Sequence, residues 1–188
     1  TGSKKFDLRE VYYGLDCQML LYLFTLERNG GHLFSQGTAA GVEYLWADPA
    51  PENIIRPKTD DAEPSQAQNY PLEGLLLDEP SIYHAMDTRG TGAFVPLSFS
   101  AKTGEPTAQS AKARLADREK FNRIRDHLDG MLTDMAKNLY SGEIDAAPLV
   151  PNAGKSPCLW CEYRTVCRHA DGEGERTPLK PDDPFGTE

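Results

Sequence analysis

Residues 15–26 are the segment that most constrains how this chain can fold. Their clearly polar members are Asp16, Gln18 and Thr25, and the remaining side chains are largely apolar. Because apolar residues recur at helical spacing through this segment and the residues before it, the pattern predicts a helix over residues 7–28. A helix that is apolar on nearly all sides has to be buried on more than one side. The rest of the chain must therefore supply surfaces that cover it.

The remaining sequence predicts few such surfaces. Apolar runs predict a strand over 42–47 and another over 94–99, the latter at a sheet edge because Pro96 cannot donate a ladder hydrogen bond. A short helix is expected over 80–87 and a long amphipathic helix over 117–141. Two strands do not form a stable sheet by themselves. The sequence therefore predicts an α/β (α+β) chain that is part of a larger domain, whose missing part precedes residue 1.

Two stretches lack the pattern of a regular element. Residues 48–71 contain five prolines and several acidic residues, which predict a flexible loop. Residues 171–188 have few apolar side chains and predict a mobile tail. The folded portion is therefore expected over residues 1–170.

Charge and hydropathy limit the class of protein. Asp and Glu total 29 against 20 Lys and Arg, so the formal net charge is −9. This excludes a uniformly basic surface for nucleic acid, although it allows a local basic stripe. No apolar run is long enough for a transmembrane helix, and the chain opens without the apolar core of a signal peptide. We expect a cytoplasmic protein with no membrane contact.

Three of the four cysteines, Cys158, Cys161 and Cys167, form a C-x2-C-x5-C motif. Two thiolates separated by two residues can converge on one metal centre, and thiolates suit zinc or an iron–sulfur cluster. Either centre normally has a fourth ligand. His169 is a candidate fourth ligand for zinc, whereas Cys17 on the apolar helix is more simply explained as a core residue. Three cysteines without a metal are the structural alternative.

Gln18 is a polar amide on the apolar face that helical spacing gives to Val11, Leu15 and Tyr22. A buried amide without hydrogen-bond partners costs about 1–3 kcal/mol. The residue is therefore either a satisfied core glutamine or an active-site amide that holds a water, a metal-bound group or a phosphate.

Arginines form a local basic stripe in the second half of the chain. Arg114, Arg118 and Arg125 fall near one face at the start of the predicted long helix. Such a stripe could contact DNA phosphates. The alternative is a solvated helix face whose arginines pair with neighbouring acids, which is the more common role of a charge run.

The Q-x3-Y motif formed by Gln18 and Tyr22, together with the late cysteine motif, resembles the C-terminal part of the RecB-like nuclease domains in the PD-(D/E)XK superfamily. Within that superfamily the resemblance is to the B subunits of the bacterial AddAB helicase–nucleases, and it covers most of residues 4–170. It also rests on Lys4-Lys5-Phe6-Asp7-Leu8, Tyr12-Tyr13-Gly14-Leu15-Asp16, Ala40-Gly41-Val42 and Pro157-Cys158.

This resemblance implies a partial restriction-endonuclease-like fold, with a small sheet flanked by two long helices and followed by the cysteine segment. It implies that Gln18 and Tyr22 support an active site and contact the DNA strand. It also implies that Cys158, Cys161 and Cys167 are three of the four cysteines of a [4Fe-4S] cluster, of which the fourth is missing here.

In such nucleases the carboxylates that hold Mg²⁺ and the lysine that supports the attacking water lie on strands before the Q-x3-Y helix. No acid-x-lysine stretch precedes Gln18 in this sequence. We therefore expect the chain alone to be inactive and to hold neither cofactor fully, with zinc as an alternative occupant of the cysteines.

The implied function is the degradation of single-stranded DNA and duplex ends during double-strand-break repair by homologous recombination, with a helicase–nuclease A subunit as partner. The uncovered first helix also predicts self-association of the chain. Two alternatives remain open. One is a Cas4-type nuclease, which shares the cysteine and Q-x3-Y features. The other is a non-enzymatic zinc-binding adaptor that uses Cys158, Cys161, Cys167 and His169.

Overall fold

The computed structural model describes residues 6–32, 37–45, 72–150, 156–169, 173–178 and 183–186. The predicted loop at 48–71 lies outside these ranges. No helix within them is long and apolar enough to cross a membrane. The helices and strands are α1 (Leu8–Tyr12), α2 (Gln18–Asn29), β1 (Gly41–Leu45), β2 (Leu72–Leu77), α3 (Pro80–Met86), α4 (Ala108–Arg114), β3 (Leu115–Ala116), α5 (Arg118–Ser141) and α6 (Arg164–Cys167).

The chain divides into two compact units. The first comprises the residues up to Phe6 and Cys17–Arg125, and the second comprises Asp7–Asp16 and the residues from Asp126 onward. The first unit contains the sheet. The mixed α/β class and the small sheet agree with the sequence-based expectation.

The predicted helix over residues 7–28 is two helices rather than one. α1 ends at Tyr12, and Gly14 and Asp16 then have φ values of +80° and +54°. This left-handed backbone conformation cannot continue a right-handed helix. The second helix, α2, begins only at Gln18. Hydrophobic spacing continues across the break, so periodicity alone could not reveal it.

A three-stranded sheet of order β1-β2-β3 forms the centre of the first unit. β1 pairs antiparallel with β2, and β3 pairs parallel with β2. Leu75, Leu76 and Leu77 of β2 are all buried. Because alternate residues of a strand point to opposite faces, the sheet is covered on both sides. Neither the two-residue strand β3 nor helix α4 before it was predicted.

A glycine is required where β2 faces β1. Gly74 lies directly opposite Glu43 in the register and has a φ of +153°. A Cβ atom at this position would lie 2.1 Å from the carbonyl oxygen of Val42. Any other residue would force the two strands apart, so the pairing that positions Glu43 depends on Gly74.

The predicted strand over 94–99 is instead a loop arranged around a carboxylate. Asp87 accepts the backbone N–H of Gly92 at 2.6 Å and that of Ala93 at 3.1 Å. These bonds hold the chain in bends, and Pro96 offers no N–H to a sheet ladder. Of the apolar side chains that suggested a strand, Val95 and Leu97 are buried all the same, whereas Phe94 is 65% exposed. Val95 and Leu97 belong to a core cluster that also contains Leu76, Tyr83 and Leu115.

In the second unit, α1 and the described end of the chain pack around His127 of α5. The His127 ring stacks on Tyr12 with centroids 4.6 Å apart, and its Nε2 lies 2.8 Å from the Tyr12 carbonyl oxygen. Phe185 is buried and meets both rings edge-on. Arg176 exchanges backbone hydrogen bonds with residues 148 and 150. The described parts of 171–188 thus make specific contacts, and the mobility of this tail stays a prediction.

Candidate functional site

The two residues of the Q-x3-Y motif are joined by a hydrogen bond on α2. The Gln18 amide Nε2 donates to the Tyr22 hydroxyl oxygen at 2.7 Å. The spacing of four residues places both side chains on one helix face, one turn apart. Gln18 is exposed and Tyr22 is 54% exposed. The structure therefore brings this predicted pair together at the surface of the first unit.

The expectation that Gln18 is a buried amide is wrong. α2 begins at Gln18, so this residue lies in the first turn, after the break at Gly14 and Asp16. It does not share a continuous helical stripe with Val11, which is fully buried. An exposed amide has no desolvation penalty to offset, so burial gives no structural reason for a glutamine here.

Around this pair, the face of α2 is apolar and uncovered. Met19, Tyr22 and Leu26 lie at helical spacing and are exposed, whereas Leu20 and Phe24 are buried. Phe24 packs edge-on against Phe121 at a centroid distance of 6.4 Å. One side of α2 therefore forms the core, and the opposite side carries the Gln18–Tyr22 pair on an apolar surface. Self-association through that surface stays a prediction.

The cysteine motif lies on two short helical turns of the second unit. The Ser156 hydroxyl accepts the Cys158 N–H at 3.3 Å and caps the turn Pro157–Trp160, and α6 ends at Cys167. Cys158 is half-buried, whereas Cys161 and Cys167 are exposed, and none forms a disulfide. Accessible thiols on short turns can become metal ligands with small adjustments.

The donor set suits a metal chemically but is not arranged as a metal centre. The His169 Nε2 atom is buried and has no hydrogen-bond partner in the described structure. Three thiols and this imidazole would make a Cys3His zinc set, whereas a [4Fe-4S] cluster would need a fourth thiolate. Across the described ranges, however, no three His, Cys, Asp or Glu side chains converge as ligands. The residues therefore do not fit either centre as they stand.

The three candidate DNA-contacting arginines do not form a single stripe. Arg114 is the last residue of α4 rather than part of the long helix, and it pairs with Glu73 of β2. The Arg118 guanidinium nitrogens lie 3.5 Å from a carboxylate oxygen of Glu27 and 3.8 Å from one of Glu79. These ion pairs favour a structural role for Arg114 and Arg118. DNA contact by Arg114, Arg118 and Arg125 stays a prediction.

Glu43 is a carboxylate that the sequence analysis did not single out. Burial raises its pKa, and its Oε1 atom has no hydrogen-bond partner among the described residues. The side chain faces a glycine across the strand pair, because Gly74 is its partner in the register. No sequence signal pointed to it, because an acid that alternates with the apolar residues of a strand normally faces solvent.

Comparison with known proteins identifies the family. A family model of the PD-(D/E)XK nuclease superfamily matches residues 1–168. The chain is 28% identical over 172 residues to the B subunit of the ATP-dependent helicase/deoxyribonuclease of Clostridium botulinum. It is 30% identical over 176 residues to the protein of the same name from Clostridium perfringens. Each match covers 89% of this chain and 15% of the relative, so the chain spans a small part of these relatives' length.

The resemblance inferred from the Q-x3-Y and cysteine motifs is thus confirmed. The small sheet with surrounding helices is consistent with the fold of these nucleases. Because the family model matches nearly the whole sequence, this chain belongs to the PD-(D/E)XK nuclease superfamily.

Proposed function

We propose that this chain is the C-terminal part of the nuclease domain of an ATP-dependent helicase/deoxyribonuclease, within its B subunit. The family match over residues 1–168 and the likeness to two such proteins support this assignment. The observation that carries it is the hydrogen bond between Gln18 and Tyr22 on an exposed face of α2. A bonded polar pair on an uncovered apolar face contributes little to packing and is accessible to a substrate.

The proposed role of the pair is to orient groups around a DNA phosphate. Tyr22 accepts the Gln18 N–H, so its own O–H proton remains available to a phosphate oxygen or a water. The Gln18 Oε1 atom can accept a hydrogen bond from a water. An amide and a hydroxyl offer hydrogen bonds but no carboxylate that could hold magnesium. Gln18 and Tyr22 are therefore proposed as supporting residues.

The hydrolytic groups are proposed to come from residues outside this chain. Magnesium held by carboxylates would stabilise charge on the phosphate when it is bound. Within the described ranges no set of three ligands converges, so no catalytic step is assigned to a metal in this chain. The parent protein is proposed to act in the cytoplasm with an A subunit, on single-stranded DNA and duplex ends during recombinational repair.

A nuclease assay tests this division of roles. The 188-residue chain and a longer protein that includes the preceding part of the parent are each incubated with single-stranded DNA, blunt duplex DNA and magnesium. The longer protein is expected to degrade DNA, and the chain alone is not. Magnesium-dependent cutting by the purified chain would contradict the division of roles. Failure of the longer protein to cut either DNA would contradict the proposed function.

A zinc-binding adaptor is the second candidate function, and one observation at His169 favours it. His169 lies two residues after Cys167, and its buried Nε2 atom, which has no hydrogen-bond partner among the described residues, is chemically suited to zinc. Metal analysis of the longer parent protein after anaerobic purification distinguishes the two candidates. A brown protein with visible charge-transfer absorption favours iron–sulfur chemistry. A colourless protein with one zinc per chain that does not cut DNA favours the adaptor.

A further inference from the structure

Cys158 and Cys161 lie at the two ends of one closed turn. The turn Pro157–Trp160 is a short 3-10 helix, and the Cys161 N–H donates to the Cys158 carbonyl oxygen at 3.3 Å. A four-residue turn closed in this way keeps its first and last Cα atoms within about 7 Å, and a disulfide needs them about 4.4–6.8 Å apart. The backbone of this turn is therefore short enough for a disulfide to bridge its ends.

The two cysteine side chains also leave this turn on the same side. In a 3-10 helix the side chains at positions i and i+3 eclipse each other. Cys161 has a φ of −78°, which is close to a helical value, so its Cβ atom keeps the direction that the turn sets. A bond between the two sulfur atoms therefore requires side-chain rotation rather than a large backbone change.

Hydrogen bonds hold the turn in this conformation. The Ser156 hydroxyl accepts the Cys158 N–H at 3.3 Å, and the Ser156 carbonyl oxygen accepts the Leu159 N–H at 3.1 Å. Ser156 is buried, and the ring of Pro157 fixes the φ angle at the start of the turn. Because little further ordering is needed, each of the two thiols has a high effective concentration beside the other.

Cys167, the third cysteine of the motif, is not part of this turn. It lies at the end of α6, and across the described ranges no three potential metal ligands converge. A zinc or iron–sulfur centre would need all three thiolates and a fourth ligand. The arrangement of the motif therefore suits chemistry that needs only two thiols.

We infer that Cys158 and Cys161 form a reversible intramolecular disulfide by exchange with a small disulfide such as oxidised glutathione. The exposed Cys161 thiolate attacks one glutathione sulfur, which gives a mixed disulfide and releases one glutathione thiolate. The half-buried Cys158 thiolate then attacks the Cys161 sulfur, closes the S–S bond and releases the second glutathione thiolate. The two cysteines give up two electrons, which reduce the glutathione disulfide, and their two protons end on the two released glutathiones.

This disulfide and a bound metal exclude each other at the motif. A metal ligand must be a thiolate, and the disulfide removes two thiolates from the donor set. In a reducing compartment the pair stays reduced, and a shift to oxidising conditions closes it. The inference goes beyond the proposed nuclease function, because it assigns a reaction to the thiols that does not involve DNA.

The test incubates the purified 188-residue chain with oxidised and reduced glutathione. The remaining thiols are alkylated, and mass spectrometry follows digestion with trypsin. Cys158 and Cys161 lie in one tryptic peptide, residues 156–164, whereas Cys167 lies in the next, residues 165–168. Effective concentrations across short connections are about millimolar or higher. With reduced glutathione at about 0.1 mM, the peptide with an internal disulfide should therefore exceed the mixed disulfide by about tenfold or more.

Single-cysteine variants separate the two thiols of the turn from the third. Cys158→Ser should stop at the mixed disulfide on Cys161, and Cys161→Ser should form no disulfide within residues 156–164. The matched control is Cys167→Ser, which removes another exposed cysteine of the motif and should form the internal disulfide as fully as the parent. Circular dichroism should show the same fold for the parent and the three variants.

Four results would overturn the inference. They are a disulfide that joins residues 156–164 to any other peptide, a parent chain that stops at mixed disulfides, thiols that remain reduced, and a metal that copurifies with the chain and protects both thiols from glutathione.

Discussion

The Gln18 amide and the Tyr22 hydroxyl lie 2.7 Å apart in a hydrogen bond that spans one exposed turn of α2. Because both side chains are exposed, the bond replaces bonds to water and adds little to folding. We expect Gln18→Ala and Tyr22→Phe each to change the free energy of unfolding by less than about 0.5 kcal/mol. Urea unfolding measures this. The comparison variant is Leu20→Ala, at a buried neighbour on the same helix, which should cost about 2–5 kcal/mol. A loss of that size at Gln18 would indicate a structural role.

Asp87 should be important for stability. Burial alone would raise its pKa, but hydrogen bonds from the N–H groups of Gly92, Arg89 and Ala93 outweigh burial and hold the pKa below its ordinary value. An amide at this position cannot accept all of these bonds as a carboxylate does. We expect Asp87→Asn to lower the free energy of unfolding by about 2 kcal/mol at neutral pH.

The pH dependence of the Asp87 variant follows from the sign of that shift. A lowered pKa in the folded state contributes stability above the ordinary carboxyl pKa, and this contribution is lost as the pH falls through the folded-state pKa. The difference in the free energy of unfolding between the parent and Asp87→Asn should therefore become smaller as the pH falls. The exposed Asp78 provides the control variant Asp78→Asn, which should behave like the parent. If the free energy of unfolding of Asp87→Asn differed from that of the parent by the same amount at every pH, the Asp87 charge would have no role in stability.

Glu43 should show the opposite pH dependence. Burial raises its pKa, so folding favours the protonated form, and the contribution to stability is lost as the pH rises through the folded-state pKa. We expect Glu43→Gln to raise the melting temperature at about pH 7 and to have little effect near pH 4, where the carboxyl is largely protonated. Glu105→Gln, at an exposed acid, is the control. A destabilising Glu43→Gln would show that the carboxylate has a partner that stabilises its charge.

The cysteine segment should not depend on a metal for stability. No three potential ligands converge in the part of the chain that the structure describes, and a structural metal contributes folding energy only through a complete ligand set. We expect a strong chelator to leave the melting temperature unchanged, and Cys161→Ser to have no effect on it. A chelator-induced drop of several degrees, with zinc or iron released in proportion, would show that a complete centre forms.

Local signals allowed part of the fold to be predicted. The helix α5 begins and ends close to the predicted bounds because its apolar stripe is long and the Asp117 carboxylate caps it, accepting the Lys120 N–H at 2.7 Å. The helix α3 begins at Pro80, as expected for a proline at the first helical position. The ends of both helices are set by residues that lie within or directly beside them in the sequence.

The features that escaped prediction depend on contacts distant in sequence or on single backbone angles. The chain bends just before residues 94–99 because Asp87 accepts the N–H groups of Gly92 and Ala93, and apolar content alone cannot show that. The break before Gln18 depends on the φ angles of Gly14 and Asp16. At the candidate site, the four-residue spacing of Gln18 and Tyr22 predicted that their side chains lie close together. Their exposure could not be predicted, because it follows from that break in the helix.

The central claim is that Gln18 and Tyr22 support DNA cleavage, and the rate of cutting by a single-residue variant tests it most directly. In the longer parent protein, Gln18→Ala is compared with Met19→Ala, an exposed neighbour on the same helix that is outside the motif. Magnesium-dependent degradation of single-stranded DNA is expected to slow by about tenfold or more in Gln18→Ala and to be unchanged in Met19→Ala, with equal melting temperatures. Equal rates for the parent, Gln18→Ala and Met19→Ala would contradict the claim and leave the pair without a catalytic role.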